Sequence, residues 1–229
     1  MRVAVIQPSY IPWLGFFYMM DRVDLFIYYD QVQYDKHGWR NRNRVDCKGI
    51  PKWLTLSINN RNLPCRLEER LLYLVELYNN DQFARHSQIL KQYYSKAEQY
   101  QTVDELYPSV LGSSLSLCDS IIIQNDLIAC MLDIKTPCVR SRSLEYNRMP
   151  RSSSSLNAKN ENLLSLLLAV GATEYVSGIS AKAYIDETLF RNQGIRIIWN
   201  EFVNPSETVY STIHYIITEG ANQVVRYLR

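Results

Sequence analysis

Short apolar runs alternate with polar loops at the start of the chain, which is the pattern of strands in an α/β fold. The run at residues 3–6 is apolar and β-branched and predicts a buried parallel strand, and the run at 24–29 predicts a second. Between them, residues 16–23 have the composition of a helix. Strand, helix and strand in this order predict a βαβ unit of a parallel sheet.

The last third of the chain repeats this pattern. A helix is predicted at residues 160–170, where Gly171 ends it, and a second at 180–192. Each is followed by a short apolar strand, at 174–177 and at 195–199. These alternating elements again predict parallel strands connected by helices.

The middle of the chain predicts a hairpin and then mostly helices. The hairpin joins the run at Val45 to a strand at 51–58 through residues 48–50. The other predicted elements are a helix at 81–94 capped by Asp81, helices at 103–111 and 116–132, a short strand at 136–140, and one or two helices at 211–228. Residues 67–78 fit either a strand or a helix. We therefore predict one α/β domain over 1–229, with a mostly parallel sheet flanked by helices in a Rossmann-like or HUP-like layout and a helix-rich insertion at 67–135.

Residues 141–160 form the least hydrophobic stretch of the chain. They hold several arginines around Pro150 and a run of four serines. This composition favours a mobile loop, and an anion-binding lid is the alternative.

Composition limits the function classes. The chain has 229 residues with 47% hydrophobic content, enough for a full core, and its net charge of +2 gives no reason to expect specific nucleic-acid binding. Its five cysteines are scattered without metal-ligand spacing, and we see no signal peptide or membrane span. We expect a cytoplasmic protein without a metal site; the composition leaves the oligomeric state open.

The loop after the first predicted strand holds candidate binding groups. Pro8 and Pro12 restrict the backbone, so Gln7, Ser9 and Tyr10 should be held in defined directions. Ligands of open α/β sheets bind beyond the carboxyl ends of the strands, where this loop would lie. The sequence therefore predicts a rigid, functional loop.

Arginines and asparagines alternate just before the predicted hairpin. The residues are Arg40, Asn41, Arg42, Asn43 and Arg44. In an extended chain the three arginines share one face and the two asparagines the other. Like charges on one face require acidic partners or an anionic ligand, and we expect either neutralisation by the nearby aspartates Asp30, Asp35 and Asp46 or a bound anion.

Two further features fit either a purely structural role or a functional one. The turn at Ser177, Gly178 and Lys182 could bind a phosphate or carboxylate, although its spacing is not that of a P-loop; alternatively, Ser180 only caps a helix. His86, alone on an amphipathic helix, is by itself more typical of a structural hydrogen bond. No nucleophile triad follows from spacing.

Taken together, these motifs resemble the WbqC-like family over residues 2–202. The matching positions are Gln7, Pro8, Pro12 and Gly15; residues 30–34; Trp39 and residues 41–44; residues 53–55; and Ser177, Gly178, Lys182 and Tyr184. Arg85 with His86 and Gly171 with Ala172 also match, which favours a functional His86. After residue 204 the match is poor, and His214 stands where an acidic residue is expected.

The resemblance implies a role in surface-polysaccharide synthesis. For this family an aminoacyl (glycine) transferase acting on sugars has been proposed, so we expect acyl or aminoacyl transfer to a nucleotide-activated amino sugar in O-antigen or lipopolysaccharide biosynthesis. The activated donor would be a carrier-protein thioester, CoA or an aminoacyl-tRNA, and an acyl carrier protein is a candidate partner. The alternative is a non-catalytic module that binds a sugar nucleotide or a carrier protein. The layout around Pro12 to Gly15 also resembles HIGH-type nucleotidyltransferases, but Trp13 and Phe16 occupy the places of their phosphate-binding histidines.

The resemblance then assigns roles. His86 is the candidate base, and Asp30 is a further catalytic candidate. The candidate oxyanion or orienting donor is Gln7, Gln33 or Asn41. The candidate substrate-binding residues are Tyr10, Gln33, Trp39, Asn41, Arg42, Asn43, Arg44, Ser177, Gly178, Lys182 and Tyr184, with Tyr34 as a further stacking residue. We expect the loops after the first two strands, the arginine face and the turn at Gly178 to converge on one polar hollow that binds an anion.

Overall fold

The computed structural model describes residues 1–36, 38–64, 70–108, 111, 116–148 and 156–229. In chain order the strands are β1 (Arg2–Ile6), β2 (Leu25–Tyr28), β3 (Arg42–Cys47), β4 (Ile50–Thr55), β5 (Cys138–Arg140), β6 (Glu174–Gly178) and β7 (Arg196–Asn200). The helices are α1 (Leu14–Asp21), α2 (Asp81–Tyr94), α3 (Val103–Leu106), α4 (Leu117–Met131), α5 (Leu156–Ala169), α6 (Glu187–Asn192), α7 (Thr212–Glu219) and α8 (Ala221–Leu228).

Five strands form one parallel sheet in the order β5-β2-β1-β6-β7. From β1 the chain runs outward through β2 to β5, and it then returns to the other side of β1 with β6 and β7. The strand order therefore reverses between β1 and β6, which is the topological switch point where such sheets bind ligands. The predicted α/β fold with a mostly parallel sheet is confirmed.

The sheet separates two hydrophobic cores, because alternate residues of each strand face opposite sides. Ala4 and Phe26 are buried in the core that also contains residues of α1, α4, α7 and α8. Val3 and Ile27 are buried in the core formed with α5 and α6. Side chains from residues 67–135, such as Leu90 in α2, pack in the first core together with Phe26. The predicted insertion thus shares its core with the sheet, while its description as a subdomain stays a prediction.

The hairpin of β3 and β4 forms a second, antiparallel sheet. Its two-residue turn places Lys48 and Gly49 at φ values of +58° and +82°, as hairpin turns of this length require. Along β3, Asn43, Val45 and Cys47 are buried while the residues between them are half-buried, so the predicted alternation is correct.

Several predicted boundaries differ from the structure. Residues 72–74 form one 3-10 turn with isolated bridges around it, neither a strand nor an α-helix. The helix predicted at 180–192 is instead a 3-10 turn at Ile179–Ala183 followed by α6. The cap of α6 is Asp186, whose carboxylate accepts the N–H groups of residues 188 and 189 at 3.0 and 3.3 Å, and therefore Ser180 caps no α-helix. At α2, Asp81 is the first helical residue, and the cap position is residue 80, whose side chain caps nothing.

Part of the predicted mobile loop at 141–160 is anchored. Residues 141–143 form a 3-10 turn, Tyr146 donates a hydrogen bond to the side chain of Gln31 at 2.8 Å, and Arg148 donates to the Gln31 carbonyl. Helix α5 begins at 156, earlier than predicted. Residues 149–155 lie outside the described part of the chain.

Candidate functional site

The loop after β1 lies at the switch point and is clamped by the segment before β3. The Arg40 guanidinium donates to the carbonyls of Gln7 at 3.0 Å and of Pro8 at 3.4 Å, and the Arg40 carbonyl accepts the N–H of Tyr10 at 3.1 Å. Burial lowers the pKa of Arg40 to about 10, while the nearby charge of Asp35 opposes this change. Arg40 is therefore a structural clamp on the loop, and it remains charged at neutral pH.

The same loop contains a strained residue. Ile11 has a φ of +38°, an outlier for a β-branched side chain. Asn43 Nδ2 donates to the Ile11 carbonyl at 2.7 Å, and Asn41 Nδ2 donates to the Leu56 carbonyl at 2.7 Å. Both asparagines are at most 7% exposed. They support the loop and the hairpin from inside, so their placement does not support contact with a substrate. Strain maintained in this way is a feature of functional sites.

Tyr10 and His86 form a buried hydrogen-bonded chain. Tyr10 is completely buried, and its hydroxyl lies 2.7 Å from His86 Nδ1 and 2.8 Å from the Tyr107 hydroxyl. Burial, and secondarily the charge of Arg85, lowers the pKa of His86 to about 4, although a hydrogen bond with the backbone of Thr55 opposes this. His86 is thus a neutral, 8% exposed ring that positions Tyr10. The predicted stacking by Tyr10 is not supported because the ring has no exposed surface, and the predicted base role of His86 is untested.

Asp30 is fully buried at the end of β2. Its Oδ1 accepts from Ser141 Oγ at 2.8 Å and from the backbone N–H of Arg142 at 3.2 Å, and its Oδ2 lies 3.3 Å from Arg142 Nε as an ion pair. Arg142 also contacts Asp119 at 3.2 Å. Asp30 therefore anchors the segment after β5 to the end of β2. The structure gives this carboxylate a structural role; the predicted catalytic one stays a prediction.

Two tryptophans and two arginines form an exposed group on the hairpin, which we call the tryptophan–arginine platform: Trp39, Arg42, Arg44 and Trp53. The two indole rings lie 5.1 Å apart. The guanidinium carbon of Arg42 lies 4.9 Å from the centre of the Trp53 ring, and that of Arg44 lies 5.3 and 5.4 Å from the centres of Trp39 and Trp53. These are cation–π distances. The platform combines flat aromatic surface with two positive charges.

In the turn after β6, Ser177 and Lys182 have different surroundings. Ser177 is buried at 5% exposure beside β1, but Lys182 Nζ lies 5.4 Å from the centre of the Trp199 ring. Trp199 packs in the core with α5 and α6, whereas Val45 of the hairpin packs in the core on the other face. Lys182 therefore lies beside the core of α5 and α6, whereas the hairpin packs on the other core. The convergence of Lys182 with the arginine face stays a prediction.

The remaining predicted residues are spread around this edge. Gln7 is half-buried, Gln33 is exposed and its backbone bridges to Leu71, and Tyr184 is 49% exposed. Tyr34 is only 6% exposed. Of the predicted set, Gln7, Gln33, Trp39, Arg42 and Arg44 have access to solvent. Gln7 lies in the clamped loop, and Trp39 directly precedes Arg40, which clamps it.

Trp53 and Arg142 were not predicted as site residues from the sequence. Trp53 pairs with Arg44 across the hairpin, and that register follows from a two-residue turn at Lys48 and Gly49. Counting back from this turn would have identified the pair. No local sequence signal connects Arg142 with Asp30, because they are 112 residues apart and meet only through the pairing of β2 with β5.

The fold is that of an α/β protein with a mostly parallel sheet, and its clamped loop lies at the switch point, the place where ligands of such sheets bind. The chain belongs to the WbqC-like protein family, whose sequence pattern matches residues 7–215. It is also similar to the "Uncharacterized protein Rv1507c" of Mycobacterium tuberculosis (strain ATCC 25618 / H37Rv), with 32% identity over 205 residues, which cover 88% of this chain and 82% of the relative. No solved structure matches the chain. Among the helices of the described residues, none has the length and apolar character needed to cross a membrane.

Proposed function

We propose that this protein binds a nucleotide-activated amino sugar at the carboxyl edge of its sheet and transfers an acyl or aminoacyl group, such as glycine, to the sugar amine. The pathway would be the synthesis of O-antigen or another surface polysaccharide. The observation that carries the proposal is the strained loop at Ile11, clamped by Arg40 and Asn43 at the switch point. Rigid, strained loops at this place are typical of ligand sites.

The geometry supports orientation of a substrate more than proton transfer. Gln7 directly follows β1, and its backbone carbonyl is held by Arg40, so its half-buried side chain can present an amide donor in a constant direction. A preorganised donor stabilises the negative charge that develops on an acyl carbonyl oxygen. We therefore assign Gln7 the role of an oxyanion or orienting donor.

The proposed reaction uses an activated ester or thioester as the donor. The neutral amine of the sugar attacks the acyl carbon, the new C–N bond forms, and the bond from carbon to the leaving sulfur or oxygen breaks. The proton lost by the amine passes to the leaving thiolate or alkoxide. Because His86 and Asp30 are both engaged inside the protein, this route requires neither of them as a base.

A second candidate function is a non-catalytic module that binds a sugar nucleotide or a carrier protein. The specific observation in its favour is the burial of His86 and Asp30, two of the three predicted catalytic residues. Both candidates share the same binding site, and they differ in turnover.

The test is to incubate the full chain with nucleotide-linked amino sugars and, in separate reactions, acyl-CoA, acyl carrier-protein thioester or aminoacyl-tRNA, and to measure the sugar nucleotide by mass spectrometry. We expect a mass gain equal to one acyl group. This gain should be lost in Gln7→Ala and kept in Gln88→Ala, a matched change on the exposed side of α2. Tight binding without turnover with any donor would favour the binding module. If no nucleotide-linked amino sugar binds, the transferase and the sugar-nucleotide module are both refuted, and only a module that binds a carrier protein is left.

A further inference from the structure

The tryptophan–arginine platform is unusual as a surface feature. Trp39 and Trp53 are 38% and 44% exposed, and both belong to the large hydrophobic side chains that the folded chain leaves in contact with water. A pair of tryptophans that only stabilised the fold would be expected to be buried more completely. The platform therefore presents two aromatic rings to solvent, inclined at 43° to each other.

The charges on the platform favour an anionic ligand. The guanidinium groups of Arg42 and Arg44 approach the indole rings, and a guanidinium stacked through its face keeps its N–H donors in its own plane. Within the described part of the chain, Arg44 Nε is buried and has no hydrogen-bond acceptor. A buried donor without an acceptor is costly, so the protein itself satisfies the Arg44 guanidinium incompletely. Phosphate oxygens are the acceptors that guanidinium groups bind in a bidentate, charge-assisted way.

The scaffold beneath the platform is rigid. Asn43 and Val45 alternate with Arg42 and Arg44 along β3, and they are buried against the loop after β1 and in the core. The platform also begins next to the proposed site, since Trp39 directly precedes Arg40, which contacts the Gln7 and Pro8 carbonyls. A ligand on the platform would therefore extend toward the switch point.

We infer that the tryptophan–arginine platform binds the nucleoside diphosphate part of the substrate: the base stacks on Trp53 beside Trp39, and the diphosphate contacts Arg44 and Arg42. This inference rests on the proposed function and deepens it, because it divides the ligand into a nucleotide half on the hairpin and a sugar half at the loop after β1. Stacking on an aromatic ring tolerates any base, since every base has a π-face. The platform would thus bind nucleotides without selecting for one base.

The test uses nucleoside diphosphates without a sugar. UDP, GDP, CDP and dTDP are titrated into the full chain by calorimetry, and the tightest binder is compared among variants. We expect Trp53→Ala and Arg44→Ala each to weaken binding by roughly ten-fold or more, since one lost stacking or charge-assisted contact has about this effect. Trp53→Phe should retain most of the affinity because the π-face is kept.

The matched control is Lys52→Ala. It removes one positive charge from the same hairpin, but Lys52 lies on the other face of β4, where it donates to the Tyr93 hydroxyl at 3.1 Å. We expect this variant to bind within two-fold of the wild type. Thermal unfolding of all variants shows that they are folded.

The outcomes separate this inference from the proposed function. If the nucleotide sugar binds but neither Trp53→Ala nor Arg44→Ala weakens it, the platform assignment is overturned and the transfer proposal stands. If the diphosphates bind through the platform while the acyl-transfer assay shows no product, the assignment stands without transfer. Absence of diphosphate binding to the wild type, or displacement of the diphosphate by free glucosamine, overturns the assignment.

Discussion

His86 gives the sharpest prediction, because the structure makes it a neutral interior ring. In the folded chain its pKa is about 4, against 6.5 for an ordinary histidine, which corresponds to about 3 kcal/mol of folding free energy. The unfolded chain takes up the proton first as the pH falls. The contribution of the neutral His86 ring to the free energy of unfolding is therefore fully present above pH 6.5. It decreases between pH 6.5 and about 4 and is lost below that range.

The test is the substitution His86→Asn. The free energy of unfolding in urea is measured at a series of pH values from 7.5 to 4. Asparagine places a polar atom near the position of Nδ1, so it can keep a hydrogen bond with Tyr10, but it does not titrate. Comparing variant with wild type cancels the titration of the other groups. We expect the pH dependence of the variant to be shallower by about 3 kcal/mol over this range.

His214→Asn is the matched comparison. His214 Nδ1 lies 2.9 Å from the hydroxyl of Tyr94, and burial lowers its pKa too, but the ring is half-buried. His214→Asn should therefore change the pH dependence of the free energy of unfolding in the same direction as His86→Asn, but by less. If His86→Asn leaves the wild-type pH dependence unchanged, our account of a buried neutral ring is refuted. In the transfer assay, a positioning role predicts that kcat per folded molecule changes less than ten-fold, whereas a general base predicts a loss of about 10² to 10⁴.

Three further predictions concern stability. Asn43→Ala removes the donor to the Ile11 carbonyl and should lower the free energy of unfolding in urea by about 1–3 kcal/mol; no change would mean that the strained loop needs no support. Asp30→Ala leaves Arg142 without its buried partner and should cost about 3 kcal/mol, a low value for a buried pair because the Arg142 side chain is 37% exposed; an equal or higher stability would contradict the anchoring role. Gly49→Ala, at a φ of +82°, should cost about 1 kcal/mol and lower the Tm in calorimetry; an unchanged Tm would show that the turn relaxes.

The fold was predictable wherever short apolar runs have few alternatives. The runs at β1, β2, β6 and β7 are too short and too β-branched for helices, and the helices between them make the parallel arrangement nearly obligatory. The segment after Gly178 was mispredicted because an apolar pattern at residues 180–192 is compatible with a helix, whereas the cap that starts α6 is Asp186. The start of α6 is set by this capping residue and cannot be predicted from the periodicity of the apolar residues.

The candidate site was predictable in composition but not in accessibility. The alternation of Arg42, Asn43 and Arg44 correctly indicated which side chains share a face. Tyr10 shows the limit: it sits in a polar loop, yet the hairpin covers that loop and the ring is completely buried. Burial of a loop residue depends on which distant segment packs on it, and such packing leaves no local pattern in the sequence.

The position of β1 at the centre of the sheet has a consequence for biosynthesis. Its neighbour β6 follows 172 residues later along the chain, as the contact between Arg2 and Glu174 shows. A ribosome therefore releases most of the polypeptide before that edge of β1 can be paired, and meanwhile the nascent chain presents an open template for foreign strands. Slow refolding in vitro and dependence on chaperones during translation are the expected results of this late closure.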